Sequence, residues 1–162
     1  MKFSTKEDLE IPIEDTFKLL TDFDKFEQIF MRRGVKIARV SGYEGQLPGM
    51  RWTADAEIRG KRREIDVTLT TFDPHDALVY FAKSSGFEST LEIDLVSLSA
   101  GRTRLRIAFD LKPKTLSSRL LVQSARLARN TLNKRYKMRV AHFAGDLEDR
   151  HKSSLKRVSS KA

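Results

Sequence analysis

The start of the chain alternates Phe3, Thr5, Glu7 and Leu9 with the wholly polar Lys2, Ser4, Lys6, Asp8 and Glu10, so that the apolar Phe3 and Leu9 share one phase. A period of two predicts a half-buried strand. Pro12 then suits the first turn of a helix, with Glu14 and Asp15 complementing its dipole and Phe17 and Leu20 turned inward. Asp24 followed by Glu27 has the spacing of an N-terminal cap for a second short helix, which Arg32, Arg33 and Gly34 would close.

From residue 35 to residue 112 the period of two recurs. Residues 35–41 form a short strand. Trp52, Ala54, Ala56 and Ile58 alternate with Arg51, Thr53, Asp55, Glu57 and Arg59, and Ile65, Val67 and Leu69 follow a turn at Gly60. Asp73-Pro74-His75-Asp76 is a turn, residues 78–83 a strand, and Ser84-Ser85-Gly86 another turn. Phe87, Leu91, Ile93 and Leu95 come next. Leu105, Ile107, Phe109 and Leu111 follow the turn at Ala100-Gly101, and Pro113 stops the series. Short turns between successive strands predict antiparallel hairpins.

The period then changes. Leu121, Ala125, Ala128, Leu132, Tyr136, Val140, Phe143 and Leu147 are spaced by three or four, one face of a helix over 116–147. At 1.5 Å per residue it would be roughly 50 Å long. Leu116, Leu120, Leu127 and Met138 form a second stripe about 130° away. Gly145 is expected to kink or end the helix.

At 162 residues the chain is long enough for one domain with a real core, and 40% apolar and 33% charged residues suit a globular protein. The expected division is a single domain over 1–149 and a polar, basic, flexible tail over 150–162. No cysteine is present, which excludes disulfides and thiolate metal sites. The first residues lack the apolar core of a signal peptide, and no run approaches the roughly 18 apolar residues of a membrane span, so a cytoplasmic location is expected. The formal net charge is +9, and residues 111–145 hold nine Lys/Arg and no Asp or Glu. The surplus therefore sits on the final helix, as a solvated back or as a surface for an anionic partner.

The order strand, two short helices, six-strand meander, long helix resembles the START-like helix-grip superfamily, the polyketide cyclase/dehydrase and lipid transport group (SRPBCC-type). Ile11-Pro12-Ile13-Glu14-Asp15-Thr16-Phe17 resembles its strand-end Ala-Pro-x-Glu-x-Val-Trp/Phe, with Ile13 where Pro is common. Leu20-Thr21-Asp22-Phe23-Asp24 is similar to its helix junction, Leu47-Pro48-Gly49-Met50-Arg51-Trp52 to its Gly-x-x-Trp strand opening, and Gly101-Arg102-Thr103-Arg104-Leu105 to its last hairpin. The resemblance implies an α+β fold: a curved antiparallel sheet of about seven strands gripping the C-terminal helix over an apolar cavity. It also implies a small hydrophobic ligand there, such as a lipid, quinone or polyketide, and in some members cyclisation or dehydration.

The chain carries no HExxH, glycine-rich phosphate loop or GxSxG, and His75, His142 and His151 are far apart. No metal site, cofactor or catalytic set is assigned. Glu7 is in phase with Phe3 and Leu9, toward the cavity side. Arg139 falls within the apolar helix face, where a charge needs a partner. It binds a ligand anion, or pairs with a strand carboxylate such as Glu7, or snorkels to solvent, and a structural partner or solvent is preferred over a ligand. Trp52, Tyr80, Phe81, Phe87, Phe109, Tyr136 and Phe143 are candidate cavity-lining aromatics, with ordinary core as the alternative for most. The Tyr136 hydroxyl suits a polar ligand group. Arg102, Arg104 and Arg106 are expected to pair with Glu88, Glu92 and Asp94 across the last hairpin.

Three functions compete. The preferred one is non-catalytic binding of a small hydrophobic ligand. The second is a cyclase or aromatase using Glu7, Arg139 and Tyr136 for acid–base and positioning work. The third is docking of the basic helix on an anionic membrane through Arg126, Arg129 and Lys137. Nucleic acid is disfavoured, because no aromatics interleave the charges. The Leu120/Leu127/Met138 stripe would equally serve a homodimer.

Overall fold

The computed structural model describes residues 1–43, 45 and 47–161. The chain runs β1 (Lys2–Leu9), α1 (Ile13–Leu20), α2 (Phe23–Arg32), β2 (Lys36–Arg39), β3 (Arg51–Ile58), β4 (Lys61–Asp73), β5 (Ala77–Ser84), β6 (Phe87–Ser99), β7 (Arg102–Pro113), α3 (Leu116–Leu127) and α4 (Arg129–Lys161). The seven strands form one antiparallel sheet in the order β1-β7-β6-β5-β4-β3-β2. Only β1 leaves the meander order. It pairs with β7 from Lys2↔Asp110 to Leu9↔Thr103, closing the sheet behind the two short helices. The curved sheet and the long C-terminal helix it holds are those of a helix-grip fold.

The period of two decides which side chains share a face. Leu9, Leu69, Leu78 and Leu105 point to the concave side and are fully or almost fully buried. Val140, Ala144 and Leu147 of α4 bury themselves against the same core, to which Phe17 and Leu20 of α1 also belong. Each large aliphatic side chain so buried contributes about 1.5–3 kcal/mol of transfer free energy. The opposite face carries charge. Arg106 reaches Asp94 at 2.5 Å and Glu92 at 3.6 Å on β6, as expected. Arg104 and Arg102 turn the other way, to Asp8 at 2.8 Å and Glu10 at 2.9 Å, and Glu88 takes Lys114 at 3.2 Å. Arg104 holds the Asp8 carboxyl below its ordinary range.

Several sequence expectations are corrected. The cap of α2 is Asp22, whose carboxylate accepts from the Lys25 backbone N–H at 3.1 Å. Asp24 and Glu27 lie inside that helix and bind Arg39 instead. The C-terminal helix is two helices, broken at Ala128 (φ −100°, ψ 17°). Neither Gly nor Pro marks the break, so the apolar spacing reads straight through it. Gly145 does not end α4, which continues to Lys161 and so includes residues 150–161. There Arg150 lies 5.5 Å from the Phe26 ring and 3.6 Å from Asp22, and His151 stands 4.0 Å from Asp15.

Candidate functional site

The α3 helix is set over the sheet by its N-terminus. The Thr115 side chain accepts from the Ser118 backbone N–H at 3.2 Å, and Ser118 Oγ accepts from the Thr115 N–H at 2.9 Å. The Lys114 N–H donates to the Gly86 carbonyl at 2.8 Å. Gly86 has φ +79°, and a Cβ there would sit 3.2 Å from Thr115 Oγ1. The tight turn between β5 and β6 thus needs glycine both for its conformation and for the approach of the helix. Anchored there, α3 lays Leu121, Val122 and Ala125 over the inner face of the sheet.

Beneath them is a chamber of about 490 Å³. Its walls are Ile65 of β4, Ala82 of β5, Phe87 and Ser89 of β6, Phe109 and Leu111 of β7, and the three α3 side chains. Arg63 and Ser84 also line it, and Ile58, Arg59 and Lys83 lie toward the same end. Arg63, Lys83, Ser84, Phe87 and Leu121 are shared with a polar groove of about 740 Å³, which runs along Lys61–Asp66 and the Ser85-Gly86 turn. The apolar chamber therefore gives onto a polar mouth at one end.

The expected site residues fall into five places. Phe87 and Phe109 line the chamber. Trp52, Tyr80, Tyr136 and Phe143 face the same side of the sheet but pack as core: Trp52 contacts Phe23 at 5.5 Å and Tyr80 at 6.3 Å, and Phe143 contacts Phe26 at 6.0 Å. Phe81 lies on the outer face, paired with Thr68 and Thr90, because its neighbour Tyr80 takes the inward direction. Arg139 is exposed to solvent. At 100° per residue it stands roughly 100° round α4 from the buried line Val140–Ala144–Leu147, well outside the gripping face. Glu7 is half-buried on the inner face, and no Glu7–Arg139 pair exists.

The Tyr136 hydroxyl is already engaged, donating to the Ile107 carbonyl at 2.7 Å, and its ring lies 5.6 Å from Phe3. Burial pushes the Tyr136 phenol above its usual range, partly offset by Arg106. Burial pushes Tyr80 much further up. Neither phenol is set to give up its proton near neutrality. Glu7, Tyr136 and Arg139 thus form no acid–base set. Of the surface candidates, Arg126, Arg129 and Lys137 are all exposed.

Arg63 and Ser84 are among the lining residues that the sequence reading does not name as site candidates. Arg63 shares the pleat phase of Ile65, Val67 and Leu69, and Ser84 that of Leu78, Tyr80 and Ala82. A polar residue ending an inward-facing apolar series is the available signal.

No family model matches the chain, and no curated protein sequence matches it. Among solved structures, the Zhui aromatase/cyclase from Streptomyces sp. R1128 is similar over 93% of this chain and 94% of its own, with TM-score 0.66 and 15% identity. A protein from Thermus thermophilus covers 95% of this chain and 99% of its own, with TM-score 0.63 and 14% identity. A START superfamily protein from Mycobacterium smegmatis covers 85% and 97%, with TM-score 0.55 and 15% identity. At such identities the likeness is one of fold, and it agrees with the START-like helix-grip architecture.

Proposed function

We propose that this protein binds a small hydrophobic ligand in the chamber beneath α3, without catalysing a reaction on it. The observation that carries this reading is the chamber itself: about 490 Å³ between sheet and helix, walled by Ile65, Ala82, Phe109, Leu111 and Val122. That volume lies in the ordinary range of ligand sites, about 300–1,000 Å³. The alternative of a cyclase draws support from the aromatase/cyclase among the structural neighbours. Binding is favoured because the groups foreseen for catalysis do not converge on the chamber. The test uses the uncharged probe N-phenyl-1-naphthylamine and native mass spectrometry of the purified protein. Probe emission should rise on binding and be lost in Ala82→Phe, which fills the chamber. A probe indifferent to the protein, or to that substitution, overturns the reading.

A docking step on an anionic bilayer is the second reading, supported by the outer side of α3. Leu116 (75% exposed), Leu120 and Leu127 (92% exposed) project outward beside Arg119 and Arg126, and Arg129 follows. Apolar side chains interleaved with cations suit the headgroup region of a negatively charged membrane. The same helix roofs the chamber. Phosphatidylcholine/phosphatidylglycerol vesicles should retain the protein, less so with added salt or with Arg126, Arg129 and Lys137 changed to Glu. Retention blind to both changes removes this step. Concentration-dependent self-association lost in the Leu120/Leu127 variants would assign the stripe to a second copy instead.

A further inference from the structure

The charged side chains lining the chamber lie at one end and are basic, while the Met1 ammonium on the β1 side is taken up by the Leu111 carbonyl at 2.7 Å and by Asp110 at 3.7 Å. Arg63 faces inward opposite Ala56. Its guanidinium stands 5.6 Å from the Phe87 ring centre, and Nη1 donates to the Ser85 carbonyl at 3.3 Å. Among the described residues no carboxylate forms an ion pair with it, whereas its neighbour Arg62 is matched with Asp55 at 2.8 Å. Arg59 adds positive charge at this end, and among the described residues neither Asp nor Glu lines the chamber. Ser84 lies at the same end, and its buried Oγ has no hydrogen-bond partner, alone among buried side-chain atoms of the described residues. A buried hydroxyl is costly until it is bonded.

A guanidinium has five N–H donors in a planar fork, and one bond to Ser85 leaves most of them available. That fork matches a carboxylate, and the hydroxyl supplies one more donor. Apart from Ser89 the other walls are apolar, so the body of the ligand must be too. The groove beyond the mouth bears Glu64 and Asp66 as well as Lys61 and Lys83, a mixture that suits a compact monoanion better than a bulky polyanion. We infer that the ligand class is a single-chain amphiphile with a carboxylate head, the carboxylate held by Arg63 and Ser84 and the chain lying under α3. This inference rests on the binding function proposed above.

Calorimetric titration with dodecanoate, dodecanol and dodecylammonium, each below its micellar concentration at pH 8, tests it. Dodecanoate should bind about tenfold tighter than dodecanol, a difference of about 1.4 kcal/mol, and dodecylammonium weakest of the three. Arg63→Gln should bring dodecanoate to the level of dodecanol while leaving dodecanol unchanged, and Arg63→Lys should keep part of the preference. Ser84→Ala should weaken dodecanoate by about threefold. If Arg63→Gln does not fold, the wild-type ratios and Ser84→Ala still decide. Equal affinity for all three probes overturns the head-group assignment alone. Binding of none of them overturns the binding function with it.

Discussion

Glu27 Oε1 accepts a hydrogen bond from the indole Nε1 of Trp52 at 2.8 Å, and the same oxygen accepts from Arg39 Nε at 2.5 Å. One half-buried carboxylate oxygen thus ties α2 to both β2 and β3. Removing it leaves an indole N–H and a guanidinium short of a partner. Glu27→Ala should cost about 2 kcal/mol in urea unfolding. Trp52 is the only tryptophan, so its emission should shift in the folded variant. Unchanged stability would assign the docking of α2 to apolar contacts alone.

Alkaline pH gives a second check. The Tyr80 phenol is raised by burial, so above a pH of about 10 the unfolded chain ionises it while the folded chain does not. The folded state then binds more protons, and stability falls as pH rises. Below that pH the contribution is fully present. The unfolding midpoint of the wild type should drop between pH 10 and 11.5 more steeply than that of Tyr80→Phe. Parallel curves would show that Tyr80 reaches solvent.

Ser84→Ala should stabilise the protein in the absence of added amphiphile, although it removes a polar atom from the interior. Deleting an unbonded buried hydroxyl relieves about 1 kcal/mol, or roughly 3 °C in Tm for a chain of this size. A fall in Tm would reveal a partner for the hydroxyl.

Arg139→Ala should do little. The side chain is exposed and meets no ion-pair partner among the described residues, so stability should stay within about 0.5 kcal/mol and dodecanoate affinity should not move. A lost affinity would bring this arginine back to the site.

The strands are legible because an antiparallel sheet with one face buried writes its register into the sequence as a period of two. The same code is ambiguous where two aromatics adjoin: Tyr80 and Phe81 both read as inward, and only the pairing with Leu69 and Leu91 assigns the direction to Tyr80. On the helix, spacing by three and four defines an arc but not its centre, so it puts Arg139 about a quarter-turn from its true position. The chamber is less legible still. It exists because α3 rests on a turn that requires Gly86, a relation between residues about thirty apart in sequence that no local pattern expresses.

The break at Ala128 gives the two C-terminal helices separate fates. Only Ser118 and Val122 of α3 are buried, whereas α4 is held by Val140, Ala144 and Leu147 and by contacts to β1 and α1. Local opening free energy follows buried apolar contact. The amides of Leu116–Leu127 should therefore exchange with deuterium through a low-energy opening, while those around Val140 wait for global unfolding. The chamber can exchange its contents on the clock of a single short helix, with the rest of the fold intact.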